Sequence, residues 1–589
     1  MIRHEAVDIV TIGGGMTAAV IAALVLPDTD LEMVSIEQGP AQWTYPDFQH
    51  NHDSLKFNNR YAMMQDLSRV SWTWRPDARA PALPMRQYGS FHPGHGLGGA
   101  MVHWTALTWR FLPTDFRYRS HHEERYGADR IPDEMTVQDW PVDYDELERH
   151  YDAFEWDIGV SGQAGNLGGQ ILPGGNPFEG PRQRPYPNPP LAPSAFGELF
   201  DRAATELGLH PFPTPSGILS RGWTDPYGNV RAGCLYCGFC TRYGCEVGAK
   251  SSPITTWLPP ALETGRYEVR TGSVVLEIGT DADGLATGVR YVNAKGEEHF
   301  QPAEVVISSA YTLENIRNLL LARSDAHPDG IGNDRGMVGR NYTYQLNQTP
   351  VRGLWEGRRF NFYMGNGCTI PQIHDFNGDN FDHTDLDFLG GGRMSPSAGQ
   401  REPVSDVQTA LEGFVPRGWG AEWKATLASS WDGIGGISME AESPAYAGNF
   451  CDLDPRFTDH WGRPLLRITF DWRENERNMY RFLTARAEEI LRAMEPDRVA
   501  TTPELAPYRY DEYQSTHATG GAIMGTDPGN SVTNSYGQVW DTPNVFVTGA
   551  ALFPQNPGAN PTGTVGALAY RTAEAIRDRY FRAPRELLA

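Results

Sequence analysis

The sequence predicts an α/β fold in two parts: a Rossmann-like sheet begun at the N-terminus, and a second part that mixes alternating strand with amphipathic helix. Three observations predict it. Residues 7–12 read as a buried strand, stop at three consecutive glycines and continue as a small-residue helical stretch over 18–26, the order of strand, tight turn and crossover helix. A second apolar run, 31–36, follows and stops at an acid. Toward the other end, 465–472 alternates like a half-buried strand, and 474–494 sets Met479, Leu483, Ile490 and Met494 on one helical face. The 589 residues suffice for several units of about 150 residues or for one large two-part protein.

The first turn has the form G-x-G-x-x-A. Gly13 permits the tight turn, Gly15 lets a pyrophosphate approach the backbone, and Ala18 allows the helix to pack closely on the strand. The helix N-terminus adds a favourable dipole for an anion. Glu37 ends the second strand at the spacing expected of an acid that receives ribose hydroxyls. These features together predict a dinucleotide site and leave FAD or NAD open. The nearly uncharged run 9–26 could be taken for a membrane span or the core of a signal peptide. Gly13, Gly14 and Gly15 would be costly inside a spanning helix, and 27–30 offers no small-residue cleavage site. The chain is therefore expected to be soluble, with export or anchoring left to a partner.

Four of the six cysteines fall within one short stretch: Cys234, Cys237, Cys240 and Cys245. Thiolates spaced two, two and four residues apart can converge on an iron–sulfur cluster. A closed four-cysteine zinc site also fits, although structural zinc ligands usually come as two separated C-x-x-C knuckles. Disulfides fit least, because tight C-x-x-C spacing in a large chain reads as metal or redox chemistry. Cys368 and Cys451 stand alone and read as small buried residues. A net charge of −23 with no Lys/Arg-rich run argues against nucleic acid or an anionic membrane surface as partner.

Two further segments carry chemistry. The loop Gly94-His-Gly-Leu-Gly98-Gly99-Ala-Met-Val-His103-Trp104-Thr105 places glycines where backbone must pass close to something flat or charged, or, more simply, where the chain turns often. The C-terminal region holds Ser515-Thr516-His517, then Thr548-Gly549, then Gly558-Ala-Asn560-Pro561-Thr562-Gly563-Thr564 and a small-residue helix. These motifs closely resemble the glucose–methanol–choline (GMC) family of FAD-dependent oxidoreductases, nearest to its branch of gluconate 2-dehydrogenase, sorbitol and fructose dehydrogenase large subunits. The resemblance covers nearly the whole chain, with the cysteine run and the C-terminal region as its most specific parts.

The resemblance implies a GMC-type FAD-binding domain and an α+β substrate domain with an antiparallel sheet. It implies that His103 carries an 8α-histidyl FAD, the residue before it being Val102 here where relatives of the Thr-His-Trp-Thr pattern have Thr. Gly98, Gly99, Gly549 and Thr562 are implied to contact the flavin, largely through backbone, and the backbone near Val275 is an adenine-contact candidate. His517 and Asn560 match the pair that faces the flavin. Alcohol oxidation sends a hydride to the flavin while the hydroxyl proton leaves to a base, a role that a neutral imidazole suits. Asn560 can donate to the developing alkoxide.

In that branch the cluster is of the [3Fe-4S] type and uses three of the four cysteines. A small subunit carries the export signal and a membrane-anchored cytochrome c accepts the electrons. The expected protein is thus a periplasmic, FAD-dependent dehydrogenase for a secondary hydroxyl of a sugar acid, polyol or sugar, with no nucleic acid and no membrane insertion of its own. A cytoplasmic enzyme with a soluble acceptor competes with that view. A pyranose or glycoside C2 or C3 dehydrogenase or oxidase is the alternative activity, and a zinc-stapled, non-catalytic flavoprotein module the alternative of another class. The FAD-binding unit is expected over 1–160, 225–345 and 515–589, a Gly/Pro-rich connecting segment over 161–224, and the substrate domain over 346–514. Trp419, Trp423 and Trp431 could stack on a sugar or fill a core.

Overall fold

The computed structural model describes every residue except 50–51, 362–368, 398–405, 408, 416–417, 584–586 and 588–589. Cys368 lies outside the described residues. Five parallel strands form the central sheet in the spatial order Tyr267–Arg270, Met33–Ile36, Val7–Ile12, Glu298–Ser308 and Val545–Val547. Numbered along the chain, that is 3-2-1-4-5, so the order reverses beside the first strand and opens a crevice at the carboxyl edge. The apolar run that could pass for a membrane span is divided between Val7–Ile12 and the ten-residue helix Met16–Val25. That helix is apolar all round because it is buried all round, from Thr17 to Ala23 and at Val25. No helix among the described residues is long and apolar enough to cross a membrane.

The long strand Glu298–Ser308 serves two sheets. Its first half pairs antiparallel with Ala286–Val292, itself paired with Val274–Thr280, and its second half joins the parallel layer. Register then sets the site. Ser308 pairs with both Ile12 and Val547, so the turns after these three strands lie side by side.

A second, antiparallel sheet runs Gly392–Ser397, Ile434–Ala441, Leu346–Leu354, Arg498–Thr501. Helix Glu474–Ala493 packs on it and buries Met479, Leu483 and Ile490, the face its periodicity marks; Met494 caps it, with its carbonyl accepting from Trp355 at 3.0 Å. The alternating segment near 465 forms strand Pro464–Thr469, paired antiparallel with Phe450–Thr458 and parallel with Trp72–Arg75 from the N-terminal stretch. Cys451 is buried in the core at 3% exposure, Trp423 packs in a small apolar cluster, and Trp419 is exposed.

The Gly/Pro-rich segment after residue 160 is held by buried charge. Arg182, fully buried, pairs with Glu155 and Glu179, and Arg110 pairs with Glu155 at 2.8 Å and Glu148 at 2.9 Å. Burial pushes the Glu155 carboxyl up, but Arg110 and Arg182 outweigh it and hold the group below the usual carboxylate range.

Candidate active site

The Gly-rich turn is organised by Glu37. Its carboxylate accepts from the amides of Gly14 at 2.9 Å, Gly39 at 2.7 Å and Gly96 at 3.3 Å, binding three loops to one side chain. Burial raises its pKa, and the three amides oppose that rise. Gly13 has φ +101°, and a Cβ there would stand 2.9 Å from the Ser309 carbonyl oxygen. Gly98 donates to the Gly14 carbonyl at 2.8 Å, which lays the second Gly loop on the first. A Cβ on Gly99 would lie 3.1 Å from the Gly15 Cα, whereas one on Gly549 would meet nothing nearer than 4.0 Å. The turns leave a cradle lined by backbone, the shape a flat, phosphate-bearing cofactor needs. Ala18 is fully buried, and Thr562 opens the helix Thr562–Ala575, with Pro561 between it and Asn560. Val275 sits inside its strand with its carbonyl taken by Arg463 at 2.8 Å; the backbone that adjoins Glu37 and Gly39 is that of Ser273 and Gly272.

His103 follows the second Gly loop in a short 3-10 turn. It is buried, and its Nε2 has no hydrogen-bond partner. Burial, with the Lys250 ammonium adding to it, pushes its imidazole down to about 3, so the ring is neutral and Nε2 is available for a bond. The cysteine loop is pinned to this segment. Arg242 donates its amide to the His103 carbonyl at 2.8 Å. The Lys250 ammonium reaches the carbonyls of Trp104 at 3.0 Å, Cys240 at 2.5 Å and Tyr243 at 2.8 Å.

Among the described residues no disulfide joins any of the four clustered cysteines. Cys234 Sγ accepts from the Tyr236 amide at 3.3 Å and Cys245 Sγ from the Lys250 amide at 3.4 Å, the N–H···S bonds that steady metal thiolates. Burial pushes the Cys234 thiol up to about 11 and the thiols of Cys237 and Cys240 upward as well. Among the described residues no three of these sulfurs come within 4.8 Å of one another. A single tetrahedral zinc ion, at about 2.3 Å from each sulfur, would hold them about 3.8 Å apart.

His517 and Asn560 meet above the crevice, His517 Nε2 lying 3.4 Å from Asn560 Nδ2. Their orientation follows from their neighbours. Gln345 donates its Nε2 to the Pro557 carbonyl at 3.1 Å, so its Oε1 turns to His517 Nδ1. A carbonyl oxygen only accepts, so Nδ1 carries the hydrogen and Nε2 presents its lone pair. Asn560 Oδ1 accepts from Trp109 Nε1 at 2.7 Å and from Arg393 at 2.7 Å, which leaves its NH₂ facing the imidazole. Arg393, buried, is held by Glu440 at 2.5 Å and Gln372 at 2.6 Å. Burial pushes the His517 imidazole down to about 4, Glu440 raising it and Arg393 lowering it further. The pair therefore offers a neutral base beside a fixed amide donor.

Gln345, Arg393, Trp109 and Glu440 are part of this arrangement and carry no motif of their own. They come from four separated stretches and are joined only by the fold.

A backbone cradle at the carboxyl edge of the sheet, and a neutral imidazole beside an amide donor, are the parts that a dinucleotide-dependent oxidoreductase needs. The chain matches the GMC oxidoreductase family over residues 216–347 and 445–569. It is 38% identical to the gluconate 2-dehydrogenase flavoprotein of Pantoea cypripedii, over 99% of this chain and 95% of that protein. It is 27% identical to the 2-methyl-1,2-propanediol dehydrogenase of Mycolicibacterium austroafricanum, over 97% of this chain and 95% of that protein. The same identity, 27%, holds with the fructose dehydrogenase large subunit of Gluconobacter japonicus, over 82% and 80%. Pyridoxine 4-oxidase from Mesorbium loti shares the fold at TM-score 0.58 and 16% identity, covering 98% of this chain and all of that one. The chain belongs to the GMC oxidoreductase family and is an FAD-dependent enzyme acting on CH–OH groups.

Proposed function

We propose that the chain is the flavoprotein subunit of a dehydrogenase that oxidises a secondary hydroxyl of a sugar acid, polyol or sugar, with gluconate the first substrate to test. The observation that carries it is the fixed tautomer of His517 beside the Asn560 amide. A substrate hydroxyl placed against the pair gives its proton to Nε2, while the Asn560 N–H steadies the oxygen as it gains charge. Bound FAD supplies the hydride acceptor. Gly13, Gly15, Ala18 and Glu37 would hold its pyrophosphate and ribose end. Gly98, Gly99, Gly549 and Thr562 would line its ring, and His103 Nε2 would bond to it covalently. The likeness to the gluconate 2-dehydrogenase flavoprotein supports the substrate class.

Three of Cys234, Cys237, Cys240 and Cys245 would hold an iron–sulfur cluster, [3Fe-4S] in type, which would supply one-electron transfer out of the enzyme. The clamp that keeps their loop beside His103 supports this reading. A small subunit with an export signal, a cytochrome c acceptor and a periplasmic location complete the proposal, and a relative named as a large subunit supports partner chains. Co-purification with such a subunit from the periplasmic fraction tests it.

The deciding experiment is an anaerobic spectrum of the FAD-loaded protein, before and after gluconate and then a panel of polyols and sugars. Bleaching of the flavin band by one of them is expected, and its loss in His517→Ala with FAD retained. No bleaching in a sample that dithionite reduces rejects the substrate class. Stoichiometric peroxide in air moves the assignment to an oxidase.

A further inference from the structure

Away from the crevice, one set of side chains has no part in the reaction. His327, Asp334 and Asp541 each bring a ligand atom within 4.8 Å of the others. We propose that these three form a binding site for a divalent transition-metal ion that staples the outer edge of the FAD domain.

His327 is the anchoring ligand. It is 4% exposed, and its Nε2 lies 2.9 Å from the Gly284 carbonyl oxygen. The carbonyl only accepts, so Nε2 carries the hydrogen and Nδ1 is left with a lone pair. That is the outer-shell arrangement that fixes the tautomer of a metal-binding histidine. Nδ1 is buried, has no hydrogen-bond partner, and points to Asp334 Oδ1 at 3.9 Å. A lone pair facing a carboxylate is repulsive unless a cation lies between them. A zinc ion with bonds of about 2.0–2.1 Å would draw the two atoms to about 3.3 Å.

The third ligand is also held in place. Asp541 Oδ1 accepts from the Gly332 amide at 2.9 Å and from the Thr542 hydroxyl at 2.9 Å. Among the described residues no Lys or Arg forms a salt bridge with Asp334 or Asp541, so no side-chain cation neutralises the pair. Burial and the nearby Asp334 charge raise the Asp541 pKa, the strain an ion would relieve. One imidazole nitrogen with two carboxylates suits Zn²⁺ or Mn²⁺ better than Mg²⁺ or Ca²⁺, which favour all-oxygen sites. Water would complete the shell. The ion would join the turn at Gly284, the loop after helix Thr312–Leu321 and the segment that leads into strand Val545–Val547.

Mn²⁺ is the probe, because thiolates hold it poorly and the cysteine loop therefore does not compete. FAD-loaded full-length protein, freed of metal, is titrated with Mn²⁺ by electron paramagnetic resonance and by thermal unfolding. We expect one tight ion per chain and a raised unfolding midpoint. In Asp334→Asn and in Asp541→Asn, affinity should fall by at least about tenfold and the midpoint should stop responding, with flavin reduction unchanged. No binding by the wild type, or equal binding by both variants, overturns the site.

Discussion

Replacing Gln345 by Glu changes the charge of the group behind the base while nearly keeping its shape. Gln345 is fully buried, and its Oε1 faces His517 Nδ1. A carboxylate there would place a negative charge about 4 Å from the imidazolium, worth about 4 kcal/mol at an effective dielectric of about 20. That is about three pH units in the pKa of His517, which would move from about 4 to about 7. The base acts only when neutral, so the acid limb of flavin reduction should climb by the same amount. At pH 6 the wild type would be nearly all active and the variant about one-tenth so. Gln345→Met removes the acceptor without adding charge. It should leave the limb in place and cut the rate by about 5- to 150-fold, the equivalent of about 1–3 kcal/mol for a lost orienting bond and the Pro557 carbonyl left without its donor. Stopped-flow bleaching of the flavin under anaerobic conditions, followed across pH, reads both effects. Wild-type rates and an unmoved limb in both variants would refute the tautomer argument.

His103→Ala should release FAD into the supernatant on acid precipitation, while the wild type keeps it in the pellet; free FAD from both shows that no bond to His103 exists. Cys237→Ser should spare anaerobic flavin reduction and slow electron delivery to a one-electron acceptor by at least about tenfold, with iron content as a second readout. Glu155→Ala leaves Arg110 and Arg182 buried without their shared partner and should cost about 3–5 kcal/mol in chemical unfolding. Because its pKa is depressed on folding, the Glu155 contribution is present above the unfolded carboxylate pKa and is lost as pH falls through the folded one. The wild-type advantage over the variant should therefore shrink in acid, and an advantage constant with pH would count against the ion network.

The strand, turn and helix that open the chain were legible because each residue there answers a local demand, as Gly13 does at φ +101°. The same holds for the helix after 474, whose period is visible without any partner. Glu37 was legible as an acid at the right spacing, but its service to three loops depends on Gly96, far along the chain. Gln345, Arg393 and Glu440 left no signal, since each is an ordinary polar residue in or beside a strand until the sheet sets them around Asn560 and His517. Trp72–Arg75 was equally silent, a short strand whose partner lies at Leu466–Thr469. Long-range pairing writes no local pattern.

The sheet order also fixes when this protein can become an enzyme. Strand Val545–Val547, which completes the parallel layer, and the helix bearing Thr562 are made long after strand Val7–Ile12 and strand Glu298–Ser308. Until they emerge, Ser308 has a neighbour on one side only, and the turn at Gly549 that borders the cradle does not exist. The closing contacts span a long stretch of chain, so this step of folding is slow. A nascent chain stalled before that point would expose an open edge of the parallel layer, a template for aggregation.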